Sequence, residues 1–289
     1  MVTRRTTQRQ FLLRPSKAIN GCIKYCVALA AEKSGVRLHA LVFMSNHYHI
    51  VLTDVLGKLP LFTTELNRLL AKSLNVYHDR GENFWAGHVQ PSHVLLPERA
   101  DIYNKLLYLL NNPVEAGLVS KGKDWPGVRL YVPGKVHCKR PKFYFRSEEE
   151  GGRMPKKLSF ELSLPEVLGS KKEVLRELEA EVKASEVAIG NKRKSKGLGF
   201  LGAKVVKQQA VTSTPISKEW SSSISPRLAC ADKWRRAELL QLFKDFQVAY
   251  KDAWEQLKSG FKNVEFPLGT YRLARYSGVT IDVPDTSTA

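Results

Sequence analysis

The sequence predicts an α+β fold: a ferredoxin-like sandwich, an antiparallel sheet with helices on one face, followed by a basic, mostly helical C-terminal extension. Three observations predict it. Strand-like and helix-like apolar spacing alternate in the order β-α-β-β-α-β over the first 96 residues, with a further helix after them. The turn-prone pair Ser45-Asn46 joins the two middle strands as a hairpin. The composition then changes after Tyr131, where lysine-rich loops, Glu148-Glu149-Glu150 and Gly151-Gly152 place a boundary near 135–155. The expected domains are a first unit over 1–135 and the basic extension over 136–289.

Each element has its own signal. Residues 8–14 (Gln-Arg-Gln-Phe-Leu-Leu-Arg) read as the first strand. Pro15 and Ser16 start a helix and Gly35 ends it, with Ile19, Cys22, Ile23, Cys26, Val27 and Ala30 at helical spacing between them. Residues 36–44 and 47–54 read as strands, and a helix follows over 61–78 with Leu66, Leu69, Leu70 and Leu74 on its apolar side. Residues 88–96 read as a strand in which Pro91 argues for an edge or a bulge. A helix over 98–111 is expected to end at Asn112-Pro113. In the extension, residues 165–190 and 231–258 read as helices, with Trp234 and Trp254 expected in the core. Residues 191–207 are basic and glycine-rich, 212–226 have a Ser/Thr/Pro linker composition, and Phe266–Tyr271 closes the ordered part.

Composition narrows the function classes. The chain of 289 residues carries a net charge of +18, which favours a polyanionic partner, nucleic acid foremost. No run of eighteen apolar residues and no signal-peptide core is present, so a cytoplasmic protein without a membrane span is expected. The four cysteines form no disulfide framework and read as reduced packing thiols.

Two stretches carry chemistry. His47 and His49 are two residues apart on a strand, so both imidazoles project from one face while Tyr48 turns to the other. Paired imidazoles on a rigid strand can hold a divalent ion. All seven histidines lie at or before His137, which assigns metal chemistry to the N-terminal half. In the helix over 98–111, Ile102, Leu106, Leu107, Leu109 and Leu110 form the buried side, and Asp101, Lys105, Tyr108 and Asn112 a polar stripe. Asn112, one turn beyond Tyr108, can offer a carbonyl oxygen to a hard metal ion. The bland readings are a surface tyrosine and two half-buried, satisfied histidines.

The motifs resemble a known family. His47-Tyr48-His49 is similar to the His-hydrophobic-His motif of the HUH single-tyrosine transposases. Met44-Ser45-Asn46-His47-Tyr48-His49, Phe84-Trp85-Ala86-Gly87-His88, Tyr108-Leu109-Leu110-Asn111-Asn112-Pro113-Val114-Glu115-Ala116-Gly117-Leu118-Val119 and Asp124-Trp125-Pro126 resemble the branch called REP-associated tyrosine transposases. The resemblance covers roughly residues 8–131. It implies Tyr108 as the nucleophile, and His47, His49 and Asn112 as ligands of a divalent metal, Mg²⁺ or Mn²⁺, although imidazoles also accept Zn²⁺. Asn111 is a second candidate amide, and His88 stands where many relatives have arginine.

The implied reaction cleaves and rejoins single-stranded hairpin DNA through a 5′-phosphotyrosine, in transposition or repeat mobilisation, by a monomer or homodimer. Lys105 is a candidate for assisting the phenolate. Candidate DNA contacts are Arg4, Arg5, Arg9 and Arg14 in the N-terminal arm and Lys192, Arg193, Lys194 and Lys196 in the extension; Phe200 is expected to pack. Two other readings compete: a catalytically silent DNA-binding module on the same fold, and a metallohydrolase. The latter is disfavoured because Val51 and Leu52 follow where further ligands are usual.

Overall fold

The computed structural model describes residues 1–87, 91–216, 227–268, 270 and 280–281. Its strands are β1 (Val2–Arg5), β2 (Arg37–Phe43), β3 (His47–Thr53), β4 (Ser92–His93), β5 (Arg129–Leu130), β6 (Gly134–Lys139), β7 (Lys157–Leu162), β8 (Glu265–Phe266) and β9 (Thr280–Ile281). Its helices are α1 (Lys17–Ser34), α2 (Leu59–Tyr77), α3 (Arg99–Glu115), α4 (Lys171–Ser195), α5 (Ala203–Gln208) and α6 (Lys233–Lys258). The main sheet runs β4-β1-β3-β2-β7-β6, with β5 also paired to β2. Its first four strands alternate with α1 and α2 as β-α-β-β-α-β, and their spatial order 4-1-3-2 is the ferredoxin-like one.

Local chemistry sets the boundaries. Ser16 caps α1 by accepting from the Ile19 amide at 3.1 Å, and Gly35 ends it at φ 72°. Asp54 accepts from the amides of Lys58 and Leu59, both at 2.8 Å, where α2 begins. The hairpin between β2 and β3 closes with the Met44 amide on the His47 carbonyl at 2.8 Å. Thr6 pins the turn, its amide and hydroxyl both donating to the Asn46 carbonyl.

Alternation on β2 and β3 divides the core in two. Leu41, Phe43, Tyr48 and Ile50 face α1 and α2, where Ile19, Ile23, Phe62 and Leu66 pack against them. Ala40, Val42, Met44 and Val51 face Leu106, Leu109, Leu110 and Val114 of α3, behind which lie Val174, Leu178 and Val182 of α4. Each fully buried side chain of this kind stabilises by roughly 1.5–3 kcal/mol. The short motif at 124–126 fastens this second layer: the Trp125 indole donates to the Phe43 carbonyl at 3.0 Å. A Cβ on Gly127 would lie 2.4 Å from that indole nitrogen and 3.0 Å from the Phe43 oxygen, so this approach requires glycine.

Several expectations are corrected. Helices cover both faces of the sheet, not one, because α3 and α4 close the side opposite α1 and α2. The sheet is mixed, since β7 pairs parallel to β2. Residues 134–162, whose composition marked the start of the extension, supply β6 and β7 to this same sheet.

The first strand is Val2–Arg5, not 8–14. Gln8 and Arg9 take positive φ, which breaks an extended run, and Leu12 and Leu13 are buried from irregular backbone. Among the described residues of 88–96 the strand is Ser92–His93, an edge strand as Pro91 suggested, and 88–90 lie outside the described residues. The helix expected to stop at Asn112 runs through Pro113 to Glu115. Proline removes one amide donor, and buried Pro113 and Val114 anchor the continuation until Gly117, at φ 70°, ends it.

The helix near 165–190 is α4, beginning at Lys171. α6 lies where expected, but Trp234 is 87 % exposed and Trp254 37 %, so neither is core. Periodicity reveals an apolar face and not its partner; among the described residues α6 buries Leu239 and Ala253. Most of the 212–226 stretch and Tyr271 lie outside the described residues. All four cysteines are buried free thiols. Among the described residues no helix is long and apolar enough to cross a membrane.

Candidate active site

The face of β3 that carries His47 and His49 is the face covered by α3. β1 lies beside it with Thr3 opposite His49 and Arg5 opposite His47. The two imidazoles sit with ring centroids 4.9 Å apart. From α3, Tyr108 brings its ring edge to His49 at 5.5 Å between centroids. Asn112 places its side-chain Nδ2 3.3 Å from His49 Nε2. The same amide is close enough to His47 and Tyr108 to shift the pKa of each. Side chains from two elements more than fifty residues apart thus converge on one amide.

The histidine tautomers follow from their partners. Asn46 donates its Nδ2 to the Arg9 carbonyl at 3.1 Å, which leaves its Oδ1 as acceptor for His47 Nδ1–H at 2.7 Å. His47 Nε2 therefore keeps its lone pair. His49 Nδ1 bonds Thr3 Oγ1 at 2.8 Å, and the Asn112 contact assigns the lone pair to Nε2. Burial pushes the His47 pKa down to about 4, despite the Asn112 bond that raises it. Arg5 and Arg9 depress it further. His49 lies well below its usual value, again through burial, with His47 and Lys105 adding repulsion. Both rings are neutral at neutral pH, the form that ligates metals.

Tyr108 is 47 % exposed, in contrast to the packed leucines on either side of it. Partial desolvation raises its pKa, the Asn112 bond opposes that, and Glu115 adds to it. Lys105 Nζ lies over the ring, 5.4 Å from its centroid. Buried Asn111 points elsewhere: its Oδ1 has no hydrogen-bond partner, and Asn112 alone of the two amides meets the histidines.

The arginine and lysine candidates separate into groups. Arg5 and Arg9 lie close enough to His47 to act on its charge. Arg4 is on the opposite face of β1, over the Trp85 ring at 5.5 Å, and does not reach the site. Arg14 donates to the Gln209 carbonyl and ties the N-terminal segment to the extension. Arg193 donates to the Gly199 carbonyl, stacks on Phe200 at 5.0 Å and fills the space where Gly117 lacks a Cβ. It is a packing residue, as is Phe200. Lys192, Lys194 and Lys196 are exposed at the C-terminal end of α4. His88 lies outside the described residues. Phe84 and Trp85 are buried, with the Trp85 indole on the Asn67 carbonyl at 2.9 Å.

Thr3 and Asn46 were missed by sequence reading. Asn46 immediately precedes His47 and carried a signal as a turn residue, whereas Thr3 became relevant only once β1 was located at Val2–Arg5.

No group of three or more His, Cys, Asp or Glu that could hold a metal occurs among the described residues. A metal here would rest on the two Nε2 atoms and the Asn112 amide, whose oxygen replaces its nitrogen when the group turns over. Two neutral, oriented imidazoles and an amide form a mixed donor set for a divalent ion: the imidazoles suit Zn²⁺, and the amide oxygen suits Mg²⁺ or Mn²⁺. Comparison with protein-family models, curated proteins and solved structures yields no match.

Proposed function

We propose that this face cleaves and rejoins single-stranded hairpin DNA with Tyr108 as nucleophile, in the manner of the REP-associated HUH transposases that its motifs resemble. The observation that carries the reading is the convergence of Tyr108, Asn112, His47 and His49, with Asn112 Nδ2 at 3.3 Å from His49 Nε2. The net charge of +18 supports a nucleic-acid substrate.

In the proposed step the Tyr108 oxygen attacks a backbone phosphorus. The bond from phosphorus to the 3′ oxygen breaks, and that oxygen leaves as a 3′ hydroxyl after taking up a proton. The 5′ phosphate stays on tyrosine. Reversal by a 3′ hydroxyl rejoins the strand without an external energy source. Tyr108 needs help to lose its proton, since burial raises its pKa. The Asn112 bond and the cation at Lys105 stabilise the phenolate side of that equilibrium. His47, His49 and Asn112 would hold Mg²⁺ or Mn²⁺, which would supply positive charge to offset the negative charge developing on the phosphate. Arg5 and Arg9 are placed to attract the phosphate.

The test is incubation of the full chain with labelled hairpin oligonucleotides and Mn²⁺, followed by denaturing electrophoresis. The expected result is a covalent adduct, lost with chelator and lost in Tyr108→Phe. Binding without any adduct in wild type would instead establish the silent DNA-binding module.

A further inference from the structure

Beyond the histidine site, α3 borders an open cavity of about 570 Å³, a size typical of ligand pockets. Asp101, Asn104 and Lys105 form one wall, and Arg227, Cys230 and Arg236 the other. The second wall belongs to the extension and is held in place from several sides. Leu95 and Arg227–Ala229 exchange backbone bonds at 2.8 and 3.0 Å. The Ala231 amide donates to Asp101 Oδ1 at 3.0 Å, and Arg236 Nε donates to the Cys230 carbonyl at 3.0 Å. Among the described residues no ion pair engages Lys105, Arg227 or Arg236. Three cations thus face one carboxylate, Asp101, whose Oδ1 accepts from the Ala231 amide and whose buried Oδ2 has no hydrogen-bond partner. An arrangement of that kind attracts an anion.

Lys105 connects the cavity with the candidate active site: it lines the cavity and lies 5.4 Å from the Tyr108 ring centroid. We infer that this cleft binds the phosphodiester backbone of the single strand adjoining the phosphate attacked by Tyr108, with Arg227 and Arg236 of the extension as phosphate contacts. The inference rests on the proposed reaction and adds a role for the extension: completing the path of the strand. Asn104 and Leu240 offer hydrogen-bonding and apolar contact for bases along it.

The test measures binding of the full chain to a fluorescent hairpin with a single-stranded flank, and to the same hairpin without a flank, across a salt series. Arg227→Gln is the variant of choice because its side chain is exposed; Arg236→Gln is the second, its melting curve checked because it also holds the Cys230 carbonyl. Each lost phosphate contact reduces the log–log salt slope by about 0.7 for a single strand. The expected result is that reduction for the flanked hairpin in each variant, with the flankless hairpin unchanged. Wild-type slope and affinity for the flanked hairpin in both variants overturn the inference, while adduct formation by wild type leaves the parent reading standing. Full displacement of the flank from the cleft by a free mononucleotide at equal phosphate concentration also overturns it, making the cleft a nucleotide site. Wild type that binds no hairpin overturns both.

Discussion

The two faces of β3 differ in what their tyrosine-containing layers can do. Tyr48, on the α1–α2 face, is fully buried, and its hydroxyl donates to Asn67 Oδ1 at 2.9 Å. Burial holds its pKa far above the ordinary tyrosine value, so it stays a neutral phenol. One residue to either side, His47 and His49 open onto the α3 face, where Tyr108 is half exposed beside them. Alternation along a single strand therefore puts a closed core on one side and a polar, ligand-ready layer on the other. The side of the sheet on which each lies, more than residue type, separates the structural tyrosine from the candidate nucleophile.

The largest expected effect contrasts the two tyrosines directly. Tyr108→Phe lowers adduct formation by at least roughly a thousandfold, as removal of nucleophiles does elsewhere, and changes stability by no more than about 0.5 kcal/mol. Tyr48→Phe does the reverse: it leaves Asn67 Oδ1 unpaired, costs about 1–3 kcal/mol in urea unfolding, and still yields adduct. Equal behaviour of the two variants in the adduct assay breaks the comparison.

Phe62→Ala, on the closed face, destabilises by about 3–5 kcal/mol in the same unfolding measurement, with Mn²⁺ affinity unchanged in the protein that remains folded. Thr3→Val keeps a β-branched residue in β1 but removes the hydroxyl that holds His49 Nδ1. Calorimetry is expected to find Mn²⁺ binding about 10–100-fold weaker, the usual cost of losing an outer-shell partner. A normal affinity would show that His49 is oriented by packing alone.

A pH dependence is also expected. His47 and His49 have lowered pKa values in the folded chain, so the unfolded chain binds more protons below its histidine pKa near 6.5. Their contribution to stability is full above that value. It falls as the pH drops through the window down to about 4, where His47 protonates. Urea unfolding of metal-free protein at stepped pH checks the sign; replacing both histidines with glutamine is expected to flatten this part of the profile.

Much of this face was legible in the sequence because it depends on short-range spacing. The histidine pair at i and i+2 and the Tyr108–Asn112 turn are local patterns, and the Ser16 and Gly35 caps fixed α1 to the residue. What escaped is non-local. Val2–Arg5 reads as a basic arm, yet it lies between β3 and β4, where Arg4 is drawn to Trp85 and Arg5 to the site. No periodicity announces that β7 will pair parallel to β2, or that α4 will cover α3. Arg193 sat in a charge run, and its packing role emerged only from the space at Gly117. The exposed tryptophan Trp234 shows the same limit from the other side: an apolar helix face predicts burial only when something lies against it.

The central claim, that the α3 face carries a tyrosine nucleophile beside a histidine-held metal, is tested most directly by tandem mass spectrometry of the full chain after reaction with a hairpin oligonucleotide and Mn²⁺. The account predicts a nucleotide joined by its 5′ phosphate to the peptide containing Tyr108, and no such peptide when the metal is chelated. Attachment to a different residue, such as Tyr103 on the same helix, or none from hairpins that bind tightly, would contradict it.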